Sequence, residues 1–69
     1  MRRFILTYTR EGHSIDIEGI LFPDGGVALA FVPDNDWPGP KGFLNRQSME
    51  YELNEFADTS IRWLDEVKP

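Results

Sequence analysis

The stretch Phe22-Pro-Asp-Gly-Gly-Val27 predicts a hairpin turn and thereby decides the fold. Pro23 pre-sets the backbone of the first turn residue, and Asp24 suits the second. Gly25 can adopt the left-handed conformation of a type I turn with a glycine bulge. Because apolar residues precede and follow the turn, the stretch predicts two neighbouring antiparallel strands.

Strand-like alternation continues on both sides of this turn. Residues 27–32 have apolar side chains on both faces, which predicts a central strand, and the face with Ala28 and Ala30 leaves room for a helix. Residues 14–22 also alternate, but their apolar phase slips by one after Gly19. Because a bulge turns the following side chains to the other face and glycine tolerates its dihedrals, the slip predicts a β-bulge or bend at Gly19.

Two further strands and one helix complete the prediction. Residues 3–9 and 59–64 alternate as half-buried strands do, whereas residues 33–46 show no period and are predicted to be a loop. Ser48 is the predicted N-cap of a short helix that ends near residue 57. Its apolar stripe consists of Met49, Leu53, Phe56 and Ala57. The predicted fold class is α+β: a small four-stranded, mostly antiparallel sheet with one helix packed on one face, in the order strand, strand, strand, helix, strand.

The composition limits the function classes open to this chain. Its 69 residues make a single small domain with 41% hydrophobic residues, no cysteine and one histidine, His13. A disulfide or a thiolate zinc site is therefore excluded. The apolar run near the amino end is too short for a signal peptide, and no segment is long enough to span a membrane. We expect a cytoplasmic protein that holds no metal or cofactor and does not bind a membrane.

The sequence contains no arrangement typical of catalysis. His13 and Ser14 are neighbours in a predicted turn, residues 11–14, where adjacent side chains usually point apart. The helix glutamates, Glu50, Glu52 and Glu55, lack a facing acid or metal partner, so they are interpreted as a solvated face. We therefore expect a protein that is not an enzyme and has no catalytic residue.

The proline-rich loop contains Trp37, for which two interpretations stay open. The indole could fold back as a lid over one sheet face, because a tryptophan buries a large apolar area that a small core lacks. Alternatively, it is a rigid anchor for another protein, since tryptophan is enriched at binding hot spots. The second interpretation predicts a protein-binding surface formed by Trp37, Phe43, Tyr51, Glu52 and Glu55.

Other partners are considered as alternatives. A nucleic-acid-associated accessory protein would bind phosphate through Arg2, Arg3 and Arg10, although the net charge of −5 argues against such binding. The six acids that follow Ser48 could instead imitate phosphates and make the chain a DNA-mimic inhibitor. A homodimer through an exposed strand edge is also open, because a four-stranded sheet leaves two edges.

A resemblance covers residues 19–65. The chain reads Gly19-Ile-Leu-Phe-Pro-Asp-Gly-Gly-Val-Ala-Leu-Ala-Phe31 and closes on Arg62-Trp-Leu-Asp65. These segments resemble short uncharacterised proteins of actinobacteria and their phages. In those proteins a glycine, a phenylalanine and Asp-Gly precede Val-Ala-Leu-Arg-Trp, and Trp-Leu-Asp closes the pattern. Ala30 and Phe31 replace the arginine and tryptophan of that pattern. The resemblance implies a bacterial or phage origin and a cytoplasmic location, with no implied activity; a phage or mobile-element effector acting on a host protein is the corresponding hypothesis.

Overall fold

The computed structural model describes residues 1–33 and 38–64. These residues form one open antiparallel sheet of five strands and a single helix. In chain order the elements are β1 (Arg2–Arg10), β2 (His13–Leu21), β3 (Val27–Val32), β4 (Gly39–Phe43), α1 (Arg46–Leu53) and β5 (Asp58–Trp63). The strands lie in the order β4-β3-β2-β1-β5. The predicted α+β class is confirmed, but the prediction of four strands is wrong by one.

The additional strand, β4, lies within the predicted loop. Its sequence, Gly-Pro-Lys-Gly-Phe, contains a single large apolar residue. It therefore lacks the apolar alternation by which a strand is identified. Strand β4 pairs with β3 at the edge of the sheet, a location where Pro40 is tolerated. Trp37 lies outside the described residues, so its two interpretations stay predictions.

Two tight turns join the first three strands. Gly25 donates its N–H to the Phe22 carbonyl at 2.9 Å, and Phe22 donates to the Gly26 carbonyl at 2.8 Å. With Gly25 at φ +97°, this is the predicted type I turn with a glycine bulge. The other turn consists of Glu11 and Gly12 alone, at φ 52° and 80°. The four-residue turn predicted there is therefore wrong, and its last two residues begin β2.

The predicted bulge at Gly19 is also wrong. Strand β2 pairs with β1 without interruption, and Gly19 lies directly opposite Phe4. A Cβ atom at Gly19 would lie only 2.3 Å from Cζ of Phe4. The glycine therefore makes room for a buried phenyl ring, and Ile20 stays on the opposite face of the sheet because the alternation is not broken.

A bulge does occur, but in β3. Leu29 pairs with Lys41 and Val32 with Gly39, so three steps along β3 correspond to two along β4. The extra residue turns Val32 into the core, with 6% of its surface exposed, and leaves Phe31 at 44%. Val32 therefore shares the core face with Val27 and Leu29, a position that unbroken alternation from Val27 would have given to Phe31.

The core lies between one face of the sheet and α1. It consists of Phe4, Leu6, Tyr8, Ile17, Val27, Leu29, Val32, Met49 and Leu53. The helix thus packs against the face with the large side chains, and the expectation that it would approach the alanine face is wrong. Alanine gives a helix close access, but burying the larger apolar side chains stabilises the fold more.

The other face of the sheet, here called the open face, is covered by no described element. The strand pairings place the following side chains on it: Arg3, Ile5, Thr7, Thr9, Ser14, Asp16, Glu18, Ile20, Ala28, Asp58, Ser60 and Arg62. Cross-strand hydrogen bonds join several of them. Thr7 Oγ1 donates to Asp16 Oδ1 at 3.0 Å, and Arg3 pairs with Glu18 at 3.4 Å.

Helix α1 begins and ends earlier than predicted. Asn45 is the N-cap, because its side-chain oxygen accepts the N–H of Ser48 at 2.8 Å. Ser48 therefore lies within the first turn and is not the cap. The helix ends at Leu53, so Phe56 falls outside it and is 63% exposed, which excludes it from the predicted apolar stripe.

Candidate functional site

Helix α1 presents the most exposed aromatic side chain of the described residues. Met49 and Leu53 point to the sheet, so Tyr51, two positions from each, points to solvent and is 76% exposed. A shallow depression of about 500 Å³ runs along this side of the helix. It is called the helix groove here, and its lining residues are Asn45, Gln47, Ser48, Tyr51, Glu52 and Glu55.

Ion pairs neutralise the two glutamates of α1, Glu50 and Glu52. Arg46 donates from Nε to Glu50 Oε2 at 2.9 Å, one helical turn along α1. Lys41 of β4 donates to Glu52, which joins the edge of the sheet to the helix. Glu55 makes no ion pair with any residue in the ranges 1–33 and 38–64. The negative charge of the helix groove is therefore centred on Glu55.

Three of the five residues predicted to bind a protein lie together in the helix groove: Tyr51, Glu52 and Glu55. Phe43 lies on β4, half-buried against the core, with Lys41 Nζ 5.3 Å from its ring centroid. Because Lys41 also pairs with Glu52, it joins Phe43 to the groove. The fifth predicted residue, Trp37, lies outside the described residues.

Leu44 extends this exposed surface beyond what the sequence predicted. It lies between β4 and α1, next to the capping residue Asn45, and is 82% exposed. Asn45 itself lines the helix groove. The chain therefore exposes an aliphatic side chain just before α1 and an aromatic side chain in the carboxyl-terminal half of that helix.

A second cluster surrounds Trp63 and was missed by the sequence analysis. Phe4 meets its indole edge-on, with ring centroids 5.3 Å apart at 63°. The guanidinium carbons of Arg2 and Arg46 lie 4.1 and 5.4 Å from the ring centroid of Trp63. These distances are typical of cation–π contacts. The cluster joins β1, α1 and β5, which are distant in the sequence, so no local signal could have revealed it.

The structure does not bring together the three arginines predicted for nucleic acid. Arg2 and Arg10 lie at opposite ends of β1, about 26 Å apart at 3.3 Å per residue. Arg3 points to the open face and pairs with Glu18, and Arg10 pairs with Glu11 at 3.5 Å. No continuous basic patch is formed by these three residues.

The neighbouring residues His13 and Ser14 do not form a catalytic pair in the structure. His13 and Ser14 are consecutive on β2 and therefore point to opposite faces, and Ser14 Oγ lies 2.8 Å from Thr9 Oγ1. Within the described ranges no group of three His, Cys, Asp or Glu side chains is placed to hold a metal ion. The described helix, eight residues long, is too short to cross a membrane.

Comparison with known proteins does not identify a family. No protein-family model, no curated protein and no solved structure matches this chain. The resemblance to short actinobacterial and phage proteins stays a prediction from the residues quoted above. The exposed surfaces of the fold therefore carry the information on function, because the fold class by itself does not imply an activity.

Proposed function

We propose that this protein is a non-enzymatic protein-binding module that contacts its partner through the helix groove. The observation that carries the proposal is the 76% exposure of Tyr51 in a helix whose other large apolar side chains, Met49 and Leu53, are buried. Tyrosine is enriched among the residues that dominate binding energy, because its ring supplies a large contact area with few rotatable bonds. Its neighbours in the groove are polar, as the rim of a binding site usually is.

The charges of the groove define the kind of partner that fits it. Tyr51 requires an apolar pocket on the partner, and the exposed Leu44 adds apolar surface next to Asn45, which lines the same groove. Glu55, which has no ion pair within the described ranges, favours a lysine or arginine on the partner. Opposite charge at the rim mainly raises the association rate and adds specificity, while the aromatic side chain supplies most of the affinity. The resemblance to phage proteins supports an effector that acts on a host protein in the bacterial cytoplasm.

The test compares two exposed aromatic side chains. Tagged wild type, Tyr51→Ala and Phe56→Ala are incubated with an actinobacterial lysate after nuclease treatment, at low and high salt. The retained protein is identified and purified, and its dissociation constant with each variant is measured by calorimetry. Phe56 is the matched control, because it is 63% exposed but does not line the helix groove.

We expect Tyr51→Ala to raise the dissociation constant by about tenfold or more, and Phe56→Ala to leave it unchanged. Circular dichroism of both variants should match the wild type, since neither side chain belongs to the core. Equal affinity of all three proteins for the partner would contradict the proposal. Retention that requires nucleic acid and disappears at high salt would favour the nucleic-acid alternative instead.

A further inference from the structure

The two edges of the sheet differ in their capacity to accept another strand. Strand β4 contains Pro40, which has no N–H to donate, and two glycines, and its pairing with β3 is interrupted by a bulge. These are features that discourage edge-to-edge pairing. Strand β5 contains neither proline nor glycine and pairs with β1 over six consecutive residues. The edge at β5 is therefore the one open to an additional strand.

The hydrogen-bond pattern shows which groups of β5 point outward. Leu64 donates its N–H to the Arg3 carbonyl at 2.9 Å, so these two residues form a hydrogen-bonded pair. In an antiparallel ladder such pairs alternate with pairs that share no hydrogen bond. The residues of β5 that bond to β1 are therefore Asp58, Ser60 and Arg62. The outward N–H and C=O groups belong to Thr59, Ile61 and Trp63, and no described strand lies beside them.

The side chains of β5 are complementary to a second copy of the same strand. Asp58 and Arg62 are both exposed, point to the open face, and make no ion pair with another described residue. If two copies of β5 pair in antiparallel orientation about Ser60, Asp58 of each copy lies opposite Arg62 of the other. In this register Thr59 and Ile61 of one copy exchange hydrogen bonds with Ile61 and Thr59 of the other.

The register also places the charges where they interact most closely. Asp58 and Arg62 occupy pairs without hydrogen bonds, in which Cα atoms are about 4.5 Å apart and side chains are nearest. The two-fold symmetry forms this Asp58–Arg62 ion pair twice per dimer. We propose that this protein forms a homodimer by pairing of two β5 strands about Ser60, which joins the two sheets into one of ten strands. The helix groove is not part of this contact, so the inference does not rest on the proposed function.

The test is a charge exchange measured by sedimentation equilibrium. We expect the wild type to dimerise weakly, with a dissociation constant between about 10 µM and 1 mM, because one strand pair is smaller than a standard interface. Asp58→Lys and Arg62→Glu each place like charges opposite one another at two positions of the dimer. Each should therefore raise the dissociation constant about tenfold or more. Combining both substitutions in one chain should restore the wild-type constant to within about threefold, because opposite charges again face each other.

Mixing the two single variants supplies an independent control. A heterodimer of Asp58→Lys with Arg62→Glu has opposite charges at both positions, so the mixture should dimerise more strongly than either variant alone. Amide hydrogen exchange should slow at Thr59 and Ile61 as the concentration rises, while Ser60 and Arg62 are protected throughout. A monomer at about 1 mM, or a dimer insensitive to these charges, would overturn the proposal. Circular dichroism of every variant confirms that the fold is intact.

Discussion

Gly19→Ala is the substitution that most directly tests how the core is packed. The glycine lies opposite Phe4 on the helix-facing side of the sheet. A Cβ atom there would lie 2.3, 2.5 and 2.9 Å from three carbons of the Phe4 ring. Ordinary carbon contacts are about 3.5–4.0 Å, so the added methyl group overlaps the ring by about 1 Å. The ring cannot turn away freely, because it also meets the indole of Trp63.

The expected cost is in the upper part of the range for overpacked cores. Inserting a methyl group into a well-packed interior usually costs about 1–3 kcal/mol. We expect Gly19→Ala to lower the free energy of unfolding by about 2–3 kcal/mol, since the clash involves several ring atoms. A chain of 69 residues has a total stability of roughly 3–10 kcal/mol, so this loss is a large fraction of it.

Urea denaturation followed by circular dichroism measures the effect. Gly42→Ala is the matched control: it lies in β4, and its Cβ would meet only the Val27 carbonyl at an ordinary 3.7 Å. We expect this variant to be as stable as wild type or slightly more stable, because alanine restricts the unfolded chain. In the Gly19→Ala background, Phe4→Leu should cost at least about 1 kcal/mol less than in wild type. Additive effects, or a Gly19→Ala variant within about 0.5 kcal/mol of wild type, would refute the packing argument.

Three further predictions concern the turn, the helix cap and the ion pair to the sheet. Gly25→Ala should cost about 1–2 kcal/mol, seen as a lower Tm, because its φ of +97° is unfavourable for alanine. Asn45→Ala should lower the free energy of unfolding in urea by about 1 kcal/mol through loss of the cap, whereas Ser48→Ala should change it much less. Lys41→Met should change the free energy of unfolding by less than about 1 kcal/mol, because the ion pair with Glu52 is half exposed. A larger loss of unfolding free energy, measured by urea denaturation, would mean that β4 requires this ion pair to stay in the sheet.

The candidate site could be predicted only in part from the sequence. Helical periodicity was sufficient to place Tyr51 and Glu52 outside the buried stripe, and they line the helix groove together with Glu55, which lies beyond the end of α1. The pairing of Lys41 with Glu52 was not predictable, because it depends on a strand that has no apolar alternation. Leu44 was not singled out either, since exposure of an aliphatic residue leaves no local signal.

The sequence by itself determined the features that depend on neighbouring residues. Turn chemistry in residues 22–27 specified the hairpin with Gly25 in the left-handed region, and alternation specified β1 and β5. These features, with one helix, are sufficient for the α+β class. They are local because a turn or a pleat requires particular backbone dihedrals from a few consecutive residues.

Tertiary structure alone decided the features that depend on residues distant in the chain. Gly19 is required by the ring of Phe4, fifteen positions away, and not by a bulge in its own strand. The real bulge in β3, the strand β4 and the face chosen by α1 each follow from pairing and burial across the sheet. The register of neighbouring strands determines which side chains meet. That register is selected by the burial of one sheet face, which involves residues from every strand of the fold. A single segment therefore does not contain that information.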